Sequence, residues 1–86
     1  MPTSLHNTLT ESHLNVLRKV YSLLDVEKDP VEAESCLNPS AFPVKWRSGL
    51  ENLQKALACG DVDTARVHTR TLILGVRHQL VGEEVV

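Results

Sequence analysis

Lys45, Ser48, Asn52, Lys55, Cys59, Arg66 and Arg70 are the residues of this chain whose types and spacing suggest chemistry. At about 100° per residue they fall on one strip of a helix. The strip is polar apart from Cys59 and Ala56, and it carries one acid, Asp63. Ammonium and guanidinium groups bind phosphate oxygens, and Ser and Asn side chains bond ribose hydroxyls. A straight helix presenting them in a line could lie along a nucleic-acid duplex. Double-stranded RNA is read in that way, by shape and backbone. Single strands are held by aromatic stacking, and the single tryptophan, Trp46, lies off the strip. The plainer reading of a Lys and Arg row is a solvated helix face, the commoner case. Length combined with constant phase is what favours the functional reading.

Other chemistries are poorly supported. His6, His13, His68 and His78 are not spaced with acids or cysteines in a triad or metal pattern, so neither an enzyme nor a metal or cofactor site is expected. His68 falls in the phase of the apolar seam, as a packing residue. Gly49, Gly60, Gly75 and Gly82 are scattered singly and form no phosphate loop. Cys36 and Cys59 lack CxxC spacing and read as free thiols. A net charge of −2 excludes global attraction to nucleic acid, so any such binding must come from a local basic face. No apolar run approaches the roughly 20 residues of a membrane span, and the start MPTSLHNTLTESH lacks signal-peptide character. A soluble, intracellular protein is expected.

The elements that must position the strip follow from periodicity. With 86 residues, 42% of them hydrophobic, the chain fits one domain, 1–86, whose thin monomeric core would gain from dimerisation. Residues 1–7 read as a frayed start. Thr8 or Thr10 can cap a first helix, in which Leu14, Leu17, Val20, Tyr21 and Leu24 recur at steps of three and four. That helix should run to Val26 or Glu27, before Asp29-Pro30. Val31 to Leu37 can add a helical turn to a connector that Asn38-Pro39 breaks. Pro43 opens a second long helix, with Trp46, Leu50, Leu53 and Leu57 on its buried seam.

Gly60-Asp61 admits two topologies. Gly60 costs about 1 kcal/mol within a helix, and Gly-Asp is also a common inter-helix turn. A turn would make a hairpin of residues 43–59 and 62–74; no turn would make one helix of about 30 residues and roughly 45 Å. The seam continues, more weakly, into Thr64, His68, Thr71 and Leu72, and the polar strip keeps its phase across the glycine, so the continuous helix is expected. Gly75 then caps it, Val76 to Val81 form a short third helix closed by Gly82, and Glu83 to Val86 are an acidic tail.

SGLENLQKAL, then Arg66, Thr69 and Leu72, then VRHQLVGEE, together resemble the RNA-silencing suppressors of nodaviruses. The resemblance covers about Val44 to Glu84 with a one-residue difference near Leu74-Gly75. MPTSL also looks like that family's start, and residues 9–42 match only in helical character. No single motif carries it; the joint register of Leu50, Asn52, Leu53, Leu57, Arg66, Thr69, Leu72, Val76, Leu80 and Gly82 does.

The resemblance implies an all-α fold: two long antiparallel helices per subunit plus a short third helix, forming a four-helix bundle as a homodimer. Leu14, Leu17, Val20, Tyr21, Leu24, Trp46, Leu50, Leu53 and Leu57 would build the core and dimer contacts. The second helices would lie along double-stranded RNA, shielding long duplexes and small interfering duplexes from Dicer and from silencing-complex loading in the host cytoplasm. Host Dicer would be a further candidate partner. Arg66 matches the family's central RNA-contacting arginine, and Asn52 and Thr69 match polar positions on the same face. Cys59 stands where the family has a contacting lysine and Ser48 where it has an arginine; a further family lysine meets Ile73 or Leu74. Lys45, Lys55, Arg70 and Arg77 are the residues expected to compensate.

A second reading is a non-enzymatic helical-hairpin module for protein interaction. ALACGDVDTARVHT looks like the hairpin of tetratricopeptide-type repeats and of the helical domain shared by a vesicle-coat subunit and a steroid-receptor coactivator. Only one such hairpin is present, without the neighbours a repeat needs. A helical dimeric regulator is a third, weaker reading. Whether residues 57–64 are helical throughout separates the two main topologies.

Overall fold

The computed structural model describes residues 9–85, with side-chain surroundings for residues 9–82. The expectations for residues 1–8, including a Thr8 cap and His6, and for the tail's side chains lie outside that description. The described residues fold as four α-helices without a strand: α1 (Glu11–Asp25), α2 (Pro30–Cys36), α3 (Val44–Ala58) and α4 (Val62–Val85), with one 3₁₀ turn at Pro39–Ala41.

Helix α1 begins where the first apolar repeat predicts. The Thr10 backbone N–H donates to His13 Nδ1 at 3.0 Å, so one orphan donor of the helix start is satisfied by a side chain three residues on. The other ring nitrogen, Nε2, carries the proton and donates to the Ala41 carbonyl at 2.8 Å. His13 thus ties the start of α1 to the chain just before α3. The Phe42 ring lies 4.7 Å from the imidazole and is buried. Leu14, Leu17, Val20 and Leu24 are buried as the periodicity requires, joined by Leu23, while Tyr21 is half-buried. Asp29 caps α2 by accepting from the Glu32 backbone N–H at 3.1 Å, with Pro30 in the first turn.

The continuous second helix is overturned at Gly60. Gly60 has φ +73°, a left-handed conformation that an L side chain adopts only with strain. Its N–H donates to the Leu57 carbonyl at 3.0 Å, and the Asp61 N–H donates to the Ala56 carbonyl at 3.0 Å. These paired bonds are a Schellman stop, which satisfies carbonyls the end of α3 would otherwise leave open. Asp61 then restarts the chain: its Oδ1 accepts from the Thr64 N–H at 3.2 Å. Stop and start are adjacent, and the chain reverses.

The third helix is overturned as well. Helix α4 runs through Gly75 and Gly82 without interruption. Its 24 residues span about 36 Å, close to the 38 Å long axis of the molecule. Gly75 serves packing: a Cβ built on it would lie 3.0 Å from the Trp46 ring. Gly49 on α3 meets Leu72 of α4 in the same way, at 3.0 Å. Each glycine admits the other helix's large side chain, so α3 and α4 come close.

Helix α4 lies antiparallel to both neighbours. Its start meets the end of α1 through Arg66 and Asp25, and its later turns meet the start of α3 through Gly75 and Trp46 and through Gln79 and Lys45. Helix α2 packs on both α1 and α3. The core is continuous: Leu50, Leu53 and Leu57 of α3, Ala65, Leu72 and Val76 of α4, the α1 leucines, Ala33, Leu37 and Phe42 are all buried in one cluster. Trp46 packs against it half-buried. The seam of α4 therefore runs Ala65, Thr69, Leu72 and Val76. Thr64 and Thr71, expected on the seam, are exposed, and His68 is half-buried. The phase carried across Gly60 was lost because the turn resets it.

Candidate interaction surface

The reversal divides the polar strip. Lys45, Ser48, Asn52, Lys55 and Cys59 keep their common row on the outer face of α3 and are exposed. Lys45 Nζ donates to Gln79 Oε1 at 3.2 Å and sits 5.6 Å from the centre of the Trp46 ring. It therefore closes the α3–α4 seam as well as facing water. Arg66 and Arg77 border the other flank of α4, where α1 packs. The Arg66 guanidinium lies 3.5 Å from both Asp25 and Asp63, and Arg77 shares a shallow recess with Glu11, Leu14, Arg18, Leu80 and Val81. Arg70, one turn beyond Arg66 and seven residues before Arg77, is exposed on the same side of α4.

Thr69 departs furthest from expectation. Its side chain is fully buried, and its hydroxyl donates to the Ala65 carbonyl at 2.7 Å. A threonine can replace an apolar residue on a helix seam because this back-bond satisfies its hydroxyl. It cannot touch RNA from there, and its polar type alone does not reveal that. The single long cationic line expected from phase is thus two short rows separated by the α3–α4 contact.

Residues that periodicity passed over occupy the outer face of α4. Val67, Leu74 and Val81 are 62%, 55% and 57% exposed. Their spacing of seven places them nearly in line, drifting about 20° per step, over roughly 21 Å of helix. Arg70, Arg77 and His78, all exposed, flank them. Leu74, Arg77, His78 and Val81 line an open depression there. The signal was present: α4 holds more apolar residues than one seam needs, and the surplus recurs every seven.

Elsewhere, a hollow of about 180 Å³ lies among Ser12, His13, Val16, Cys36, Asn38, Ala41 and Phe42. That is below the usual size of a small-molecule site, and both nitrogens of its imidazole are engaged with backbone. Cys36 is half-buried and Cys59 exposed, and both are free thiols. Among the described residues no three His, Cys, Asp or Glu side chains gather as a metal-binding group, and no helix is long and apolar enough to cross a membrane. Hydrogen bonds from the Thr64 side chain and backbone hold the exposed Asp61 carboxyl below its ordinary value. No known protein family, curated protein or solved structure matches the chain.

Proposed function

We propose that this chain is a non-enzymatic helical module that works by binding a protein partner. The observation that carries this reading is the reversal at Gly60-Asp61. It turns ALACGDVDTARVHT into the hairpin whose resemblance to interaction domains is described above. The missing neighbours of a lone repeat are supplied within the chain, since α1 and α2 cover the hairpin's inner face. The outer face of α4 remains uncovered, with Val67, Leu74 and Val81 exposed along it between arginines and His78.

The second reading is a homodimeric suppressor of host RNA silencing that shields double-stranded RNA in the host cytoplasm. What favours it is that Lys55, Arg70 and Arg77 are exposed and have no ion-pair partner among the described residues. Against it stand the divided strip, the burial of Thr69 and the ion pairs of Arg66. Six cationic contacts per dimer would make affinity fall roughly a thousandfold between about 50 and 200 mM salt.

The deciding experiment is a low-salt titration of labelled RNA duplex, DNA duplex and single-stranded RNA. The interaction module is expected to show no preference for the RNA duplex. A selective, sequence-independent RNA-duplex shift with that salt dependence, lost on Arg66→Ala in a folded protein, would overturn it in favour of the suppressor.

A further inference from the structure

We infer that the outer face of α4 docks an acidic amphipathic helix of a partner protein, with Val67, Leu74 and Val81 as the apolar anchors and Arg70 and Arg77 as the charged rim. This rests on the interaction-module reading and names its site and the chemistry of its partner. Three apolar side chains at seven-residue spacing, each more than half exposed, are the pattern by which one helix seats another along a shared seam. The open depression at Leu74 and Val81 offers a place for a partner's apolar side chain.

Charge selects among the occupants. In a second copy, the antiparallel register that mates all three apolar residues sets Leu74 against Leu74 and Val67 against Val81. It also brings Arg70 of one copy beside Arg77 of the other, cation on cation. A parallel pairing sets each flank against the opposite flank, Arg70 beside Thr71 and Arg77 beside His78 of the other copy, so no acid meets the arginines there either. Like charges at a helix interface oppose association. The chain's own acidic helix, α2, has seven residues and spans only about 10 Å, half the length of the stripe. A partner helix with leucines on one face and Glu or Asp beside them satisfies both the apolar line and the arginines, which have no ion-pair partner among the described residues.

The test uses two synthetic amphipathic helices with the same leucine face, one flanked by Glu and the other by Lys, titrated by fluorescence anisotropy against the full chain. The Glu peptide is expected to bind and the Lys peptide not to. Leu74→Glu, at an exposed position, should weaken the Glu peptide at least about tenfold. Arg70→Glu with Arg77→Glu should lose about tenfold for the Glu peptide, as two exposed ion pairs allow, and gain binding of the Lys peptide. Circular dichroism confirms that the variants remain folded. Equal affinity for both peptides, no binding of either, or sedimentation showing a dimer that Leu74→Glu dissociates would overturn the proposal. Selective binding of RNA duplex in place of the peptides would overturn the module reading too, so failure of the docking face alone is distinguishable.

Discussion

At the scale of single residues, side chains alike in type have opposite roles here, set by the few ångströms around them. Thr69 is buried and bonds its own helix, whereas Thr64 and Thr71 face water. Thr69→Val removes the hydroxyl together with the bond it donates to the Ala65 carbonyl, and should change stability by no more than about 1 kcal/mol in denaturant unfolding. Thr69→Arg would bury a charge without a partner and should cost upward of about 3 kcal/mol. An RNA-facing Thr69 would tolerate the arginine, so the pair of variants also bears on the RNA reading. Asp61 makes a different case. Its carboxyl is held below the ordinary value of 3.8 by its bonds to Thr64, so the ionised form favours the folded chain. That contribution is complete above the unfolded carboxylate value and is lost as pH falls through the lowered folded value. Asp61→Asn keeps a capping oxygen but does not titrate. Comparing thermal midpoints of the two proteins from neutral pH down into the acid range should show wild type losing an advantage that the variant never had.

At the scale of elements, the glycines decide how the helices begin, end and approach. Gly60 is required by its positive φ rather than by crowding, since nothing lies within 4 Å of a built Cβ. Gly60→Ala should therefore cost about 1–2 kcal/mol of stability through backbone strain alone. Were α3 and α4 one continuous helix in solution, the same substitution would stabilise the chain, so the sign of the change in thermal midpoint tests the topology. Gly75 presents the reverse situation, a helical glycine against the Trp46 ring. Gly75→Val would force α3 and α4 apart and should cost about 1–3 kcal/mol. Gly82, with open space around it, should accept Ala with a small gain in helix stability, up to about 1 kcal/mol.

At the scale of the molecule, a chain of 86 residues has total stability on the order of 4–13 kcal/mol. Individual core contacts are a large fraction of that. Phe42 joins the connector to the bundle through burial and its contact with His13. Phe42→Ala should cost about 3–5 kcal/mol, enough to bring the thermal midpoint down by well over ten degrees for a domain of this size. The covered inner face and bare outer face of α4 then state the functional question: whether a protein helix or an RNA duplex meets the arginines.

Sequence alone determined the all-helical class, the extent of α1 to within a residue or two at each end, the turn of α2, and the buried line of Leu50, Leu53 and Leu57 on α3. Those features depend on local periodicity, on proline and on capping groups within a turn of one another. Gly60-Asp61 was legible as a place where two topologies compete, and continuity of phase favoured the wrong one, because a helix interior and a Schellman stop accept the same two residues locally. Gly75 read as a terminator because a close approach by Trp46, 29 positions earlier in the chain, leaves no local trace. Only the tertiary structure could divide the cationic strip, bury Thr69, engage Arg66 with Asp25 and leave Val67, Leu74 and Val81 uncovered. Each of those outcomes depends on which side of α4 the other helices occupy, and that is set by packing between segments distant in sequence.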